Sequence, residues 1–378
     1  MEQFIAQETA AVRAAGGPPE VVIKSRAGYA VPDLLKSLDT NLATTGVIAT
    51  GKLLHYTADL ICSGGIDLWQ RLCWEHVIDH VGIASPRIFV YLKRRFAELD
   101  TPAKLLPTEE FYRHIEVQKR IAEVALVIQS CPRKTKVKIP QIPPETHKND
   151  LWQRSAFQAP PAAAVARVWK AGDKLVLRHV GDEIMAAVAT GALEKILFWI
   201  KWAYEEDTLL KKELKGAPGL TIIERGTADV PTKKRTDVGF FFAGIFLEAY
   251  KELASKNLVR MHEEFQTIID LYNKPDPRLT SRRRLDLLAL MAQIICEVPR
   301  WKVPAAPSLV SDPVAMKRAA DQAPTFFKEV LVHPELKKQL PRALRKARPK
   351  KLLDAKKQKQ QDQMDAYEAA LDSYFSKL

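Results

Sequence analysis

Four short runs carry residue types that could do chemistry. The run Gly46-Val-Ile-Ala-Thr-Gly51-Lys52-Leu53 matches the G-x-x-x-x-G-K part of a phosphate-binding loop, in which backbone amides and a lysine cradle phosphates. The next position should supply a Ser or Thr hydroxyl for Mg²⁺, but the chain has Leu53. A buried strand should also lead into such a loop. Instead Leu34, Leu35, Leu38 and Leu42 precede it at helical spacing, which predicts a helix–helix junction rather than a nucleotide site. The run Cys73-Trp-Glu75-His76-Val-Ile-Asp79-His80 places Cys73, His76 and His80 at i, i+3 and i+7, all on one helical face and all zinc-ligand types. No paired Cys/His cluster offers a fourth ligand, and Glu75 precedes His76 rather than following it, so the metalloprotease order is absent. The flanking Leu68, Trp69, Leu72, Val77 and Val81 favour a packed helix whose histidines are hydrogen-bonded or exposed. Glu205-Glu206-Asp207 is expected at a solvated helix end, and His262-Glu263-Glu264 on an exposed helical face. No nucleophile elbow, dinucleotide-binding glycine pattern or Cys-x-x-Cys pair is present. The expectation is a non-enzymatic protein with no cofactor and no metal.

The strongest chemical lead is basic charge. Of a net +13, most lies between His333 and Gln360, where Lys337, Lys338, Arg342, Arg345, Lys346, Arg348, Lys350, Lys351, Lys356, Lys357 and Lys359 face only Glu335 and Asp354. The remainder of the chain is nearly neutral. Two further clusters are Lys233-Lys234-Arg235 and Arg282-Arg283-Arg284, both in or beside predicted loops. Clustered Lys and Arg neutralise phosphates with release of counterions and need no base specificity. Residues 333–360, with Arg282, Arg283 and Arg284, are therefore the candidate nucleic-acid contacts. An acidic protein partner or a plain solubilising surface would draw on the same charge. No aromatic residue interleaves with the basic run, so stacking on single-stranded bases is not expected. Beyond it, residues 356–363 lack any apolar side chain. Then Met364, Tyr367, Leu371, Tyr374, Phe375 and Leu378 follow the i, i+3/i+4, i+7 spacing of one apolar helical face. Tyr367, Leu371, Tyr374, Phe375 and Leu378 are the candidate partner contacts, docking on the chain's own core or on another protein.

These groups must be held by helices, because helical signals outnumber strand signals throughout. Ser85-Pro86 reads as an N-cap and first helical position, opening a helix through Leu99. Gly64-Gly65 reads as the stop of the helix before it. A helix opening at Pro107-Thr108-Glu109-Glu110 is expected to run to Ser130 and end at Cys131-Pro132. Later helices are expected from Ala162 to Lys215 with a break near Gly172, and over Val238–Ser255, Leu258–Asn273 and Arg283–Cys296, with one short strand at Leu220–Ile223. The organisation that follows is a helical domain over 1–130 and a Pro/Lys-rich linker over 131–160. A second helical domain over 161–305, a Pro-punctuated basic segment over 306–360 and an amphipathic helix over 361–378 complete it. The fold class is all-α.

Composition agrees with this. Hydrophobic residues at 47% and charged residues at 27% are globular proportions over 378 residues, enough for two ordinary cores. Four scattered cysteines, Cys62, Cys73, Cys131 and Cys296, point to a reducing compartment. The apolar runs at 196–202 and 240–247 are too short for a membrane span and read as core helices. No secretory leader is evident at the N-terminus, so a soluble, intracellular protein is expected.

The stretch Ile61-Cys-Ser-Gly-Gly-Ile-Asp-Leu-Trp69, continuing through His80-Val-Gly-Ile-Ala-Ser-Pro86-Arg-Ile-Phe-Val-Tyr91-Leu, resembles a family of uncharacterised proteins of nucleocytoplasmic large DNA viruses. Ala192 to Glu206, with Phe198-Trp-Ile-Lys-Trp202, is similar to a later block of that family. The resemblance implies a viral protein with a role in virion assembly, genome handling or late gene expression, located in the host cytoplasm or the virion. It supplies no catalytic or binding residues. The combined expectation is a helical interaction scaffold whose basic tail meets nucleic acid or an acidic partner, the alternative being a minor capsid or virion-assembly protein anchored through its C-terminal helix.

Overall fold

The computed structural model describes residues 24–147, 150–213, 219–225, 230, 235–259, 262–273, 281–297, 309–310 and 312–333. They are all-α, with no strand among them and a single antiparallel bridge between Lys24 and Ala30. The chain runs through α1 (Val31–Ala43), α2 (Val47–Cys62), α3 (Ile66–His76), a π-helical turn (Val77–Val81), α4 (Arg87–Leu105), α5 (Thr108–Arg113) and α6 (Ile115–Ser130). After an extended stretch it continues through α7 (Asp150–Ala156), α8 (Ala163–Val168), α9 (Leu175–Thr190), α10 (Leu193–Glu213), α11 (Gly239–Ser255), α12 (His262–Asn273) and α13 (Ser281–Glu297). Last come α14 (Pro313–Asp321) and α15 (Ala323–Leu331).

Each helix buries a stripe. In α1 the stripe is Val31, Leu34, Leu38 and Leu42, the spacing read from sequence. Helix α11 hides nearly every side of its first turns, through Phe240, Phe241, Phe242, Ile245 and Phe246. The buried side chains join into one hydrophobic cluster that includes residues from α1 through α13 and Phe327 and Val330 of α15. Helices α14 and α15 were not expected. They return to the N-terminal half, where α15 packs on α2 and α6 and α14 packs on α6. There Leu54, Ala122, Leu126, Ala320 and Ala323 form a second small cluster.

Several local expectations are corrected. Pro86 stands just before α4, but the buried Ser85 hydroxyl does not cap the helix. The helix expected over 108–130 is two, broken at His114, whose extended backbone starts α6 afresh. A further break at Gly191, with φ of 68°, separates α9 from α10. No strand forms at Leu220–Ile223, because side-chain carboxylates take the amides a sheet would use. Asp207 accepts from Leu220 N at 2.8 Å, and Asp173 accepts from Ile222 N at 3.0 Å.

Residues 131–143 are extended, as their prolines dictate, and they lie along the body. Lys134 N donates to His80 O at 2.8 Å and Lys136 N to Asp79 O at 3.2 Å, while Cys131 and Ile142 are buried. Helix-terminal carbonyls need such partners, since no further turn supplies amides to them. At the far end of the fold, Arg26 Nε donates to His333 O at 2.9 Å and Arg26 pairs with Glu109 at 2.8 Å. The close of α15 is thereby tied to the start of the described chain.

Candidate functional site

The residues singled out as Cys73, His76 and His80 straddle the end of α3 and the π-turn. The extra residue that a π-turn inserts shifts the helical phase, and such bulges frequently mark special sites. The rings of His76 and His80 stand 5.1 Å apart, centroid to centroid. His76 is buried, its Nδ1 2.7 Å from Asp39 Oδ1 on α1, and its Nε2 has no hydrogen-bond partner among the described residues. A carboxylate on Nδ1 holds the proton there and leaves the Nε2 lone pair free, the orientation used by a general base or a metal-bound histidine. The hydrogen bond from His76 holds the Asp39 carboxyl below the ordinary carboxylate range. Burial pushes the His80 imidazole down.

A cavity of about 310 Å³ adjoins this pair, and its ionic groups neutralise one another. Arg283 bonds both oxygens of Asp79 at 2.8 Å and reaches Asp286 at 3.0 Å. Lys136 bridges Asp79 and Asp286 at 2.6 and 2.8 Å, and Arg71 pairs with Glu75 at 3.3 Å. Among the described residues no hydrogen-bonding group stands against the buried His76 Nε2. Cys73 is fully buried, and burial pushes its thiol far up. Among the described residues no group of three His, Cys, Asp or Glu side chains is placed to hold a metal ion. The His76–Asp39 bond and the Arg283, Lys136, Asp79 and Asp286 ion pairs join α1, the π-turn, the extended stretch and α13.

Glu205, Glu206 and Asp207 do not end a helix, since α10 continues to Glu213. Glu206 instead takes His147 Nδ1 at 2.8 Å and Glu205 lies 3.4 Å from its Nε2. The His147 ring stacks on Trp202 with centroids 5.4 Å apart. Both ring nitrogens are engaged, so this second carboxylate–histidine set also fastens segments together.

The arginine run is likewise corrected. Arg283 and Arg284 do not present themselves to phosphates: Arg283 is spent on Asp79 and Asp286, and Arg284 is only 8% exposed. The Arg284 guanidinium lies 4.5 Å from the Phe240 ring centroid and 4.4 Å from that of Tyr272, a cation–π sandwich inside the body. The Arg282 side chain lies outside the described residues, as do all the candidate contacts from Lys337 to Lys357 and from Tyr367 to Leu378. Elsewhere on the body, cations are mostly matched. Arg167 reaches Glu248 and Glu252, Arg95 reaches Glu98 and Glu123, and Lys195 reaches the buried Glu183.

A concavity of about 900 Å³ lies between α1 and α2 and includes the phosphate-loop-like run. Gly46, with φ of 117°, caps α2 without a side-chain hydrogen bond, and Gly51 and Lys52 sit inside the helix. The run is the helix–helix junction the leucine spacing predicted. It carries one unexpected feature: Val47 and Ile48 are 91% and 77% exposed on the groove wall. Sequence reasoning passed over both because they sat inside a motif. No helix among the described residues is long and apolar enough to cross a membrane. No known protein family, curated protein or solved structure matches this chain.

Proposed function

We propose that this chain is a non-enzymatic helical interaction protein of a large DNA virus, whose basic C-terminal region binds nucleic acid through phosphate contacts. The supporting observation is the division of charge. Among the described residues most cations are paired with acids or stacked on rings, including Arg283 and Arg284 of the arginine run. Residues 333–360 hold eleven Lys and Arg against two acids, with no such matching available in their own sequence. The two carboxylate–histidine sets act as fasteners, which supports a binding role over catalysis. The viral setting is drawn from the sequence resemblance of residues 61–69, 80–92 and 192–206 alone.

Fluorescence anisotropy of labelled duplex DNA and RNA across a salt series tests the reading. If about six cations meet phosphates on duplex DNA, log K falls against log salt with a slope near about −5. Replacing Lys337, Lys338, Lys350, Lys351, Lys356 and Lys357 by Gln in the full chain should cut that slope to roughly half, since five of the eleven basic residues remain. Neutral variants that bind as tightly as the parent, with the same slope, would remove nucleic acid from the role of this region. The reading would then pass to protein assembly through the C-terminal segment.

A further inference from the structure

The groove between α1 and α2 sets the exposed Val47 and Ile48 beside the polar side chains of Ser37, Thr40, Asn41 and Thr44, and a fitting occupant lies in the same chain. Val47 and Ile48, among the most exposed large hydrophobics of the described body, stand at one end of it, and Tyr56 closes the other. Lys36 and Lys52 rise from its two walls, and neither forms an ion pair among the described residues. From Val47 to Tyr56 the wall is about 14 Å long at the helical rise of 1.5 Å per residue.

Residues 361–378 match this surface in length, polarity and charge. From Tyr367 to Phe375 a helix would span about 12 Å. At 100° per residue Tyr367, Leu371, Tyr374, Phe375 and Leu378 share one face, and Asp365, Glu368 and Asp372 border one edge of it. The segment is acidic overall, four carboxylates against Lys377, on an otherwise basic terminal region. Its acidic edge complements Lys36 and Lys52, which outnumber the groove's one carboxylate, Asp33.

The point of departure also fits. His333 O is held by Arg26, three residues before Tyr29, and the Tyr29 ring packs edge-on against Tyr56 with centroids 5.5 Å apart. The described chain thus ends beside the Tyr56 end of the groove. The connecting residues 334–360 cover about 90 Å when extended and roughly 30 Å as a flexible coil, which exceeds the groove's own length. From the exposed Val47 and Ile48, the flanking lysines and the chain's exit point, we infer that residues 361–378 dock as an amphipathic helix in the α1–α2 groove of their own chain. This inference does not depend on nucleic-acid binding. Docking would close residues 334–360 into a basic loop held at both ends.

Electron–electron dipolar distance measurement on the full chain, spin-labelled at Thr45→Cys and Ser376→Cys, tests it. The four native cysteines are buried and so are poor targets for the label. A narrow distance distribution is expected in the parent. Val47→Glu with Ile48→Glu should broaden it, and because both side chains face solvent the body should keep its far-UV circular dichroism. Lys36→Glu with Lys52→Glu should broaden it as well, and Glu368→Lys with Asp372→Lys added to that pair should restore it. A broad distribution in the parent, or a narrow one indifferent to the groove variants, overturns the inference. A dipolar signal between singly labelled chains, with none within a chain, would assign the groove to a second copy and overturn it equally.

Discussion

Replacing Gly239 by Ala puts a methyl group where the fold has no room, and the cost can be worked out from the contacts. Gly239 opens α11, and a Cβ there would sit 1.7 Å from Tyr272 Oη and 2.0 Å from Tyr204 Oη. Those hydroxyls are 3.1 Å apart, and Tyr204 also donates to Asp237 Oδ1 at 3.1 Å. Asp237 in turn accepts from Gly239 N at 2.8 Å, and Arg284 covers the Tyr272 ring. To clear an alanine, both hydroxyls must retreat by an ångström or more, which takes their mutual bond beyond hydrogen-bonding range. Leaving such buried groups unmatched costs about 1–3 kcal/mol, and overpacking adds about 1–3 kcal/mol. Alanine's better helix propensity returns at most about 1 kcal/mol. The net is a destabilisation of about 1–6 kcal/mol, against the roughly 5–15 kcal/mol that holds a typical domain folded. Urea denaturation followed by far-UV circular dichroism would read this as a lower midpoint at unchanged slope. Gly51→Ala is the control: a Cβ there meets nothing within 4 Å inside α2, so it should raise stability by about 0.5–1 kcal/mol. Adding Tyr272→Phe to the Gly239 variant should recover part of the loss, because one of the two colliding hydroxyls is gone. An alanine variant within about 0.5 kcal/mol of the parent, below the scale of a typical mutational effect, would refute the claim that this hydroxyl network fixes the start of α11.

Two other outcomes follow from the packing and the charges. Phe327→Ala in α15, where the ring is 1% exposed, should cost about 3–5 kcal/mol by urea denaturation, and a loss below about 1 kcal/mol would mean that α15 is not part of the core. Asp39 has a folded pKa held below its unfolded value, so its contribution is present above about pH 4 and is lost as pH falls through the folded value. Asp39→Asn should therefore flatten the acid limb of a Tm-against-pH curve measured from pH 2.5 to 7, and an acid limb identical to the parent's would reject this assignment.

The helices were legible where one face is apolar over several turns. Val238–Ser255 was read within a residue of α11, and the stop at Gly64-Gly65 stands where α2 ends. Helices α14 and α15 escaped because nearby prolines at 299, 304 and 307 dominated the reading. In the structure Pro313 is a first helical residue behind an Asp312 cap, whose carboxylate accepts from Val314 N and Ala315 N. That Asp-Pro pair is the same kind of signal as Ser85-Pro86, where the cap was expected and does not form. The chemistry of the arginine run was not legible at all. Three successive cations look alike in sequence, yet a helix turns each by about 100°, sending Arg283 to Asp79 and Arg284 to the aromatic rings. The partner of Arg283 lies 204 residues away, and only the fold brings the two together. His76 and Asp39 are 37 residues apart and equally invisible as a pair.

The return of α15 to α2 and α6 has a consequence for how the protein is made. Ser130 closes α6, yet the helix that covers this surface begins at Ala323. At about 5–20 residues per second, a ribosome needs roughly 10–40 s to bridge that interval. During it, Leu54 and Leu126 lack the Ala320 and Ala323 side chains that later cover them. The N-terminal half thus waits, partly uncovered, for nearly the last described residues to be synthesised. Slow closure by a distant segment raises the entropic cost of the final step and lengthens exposure to aggregation. Chaperone demand during synthesis should accordingly track the arrival of α15 rather than the completion of α6.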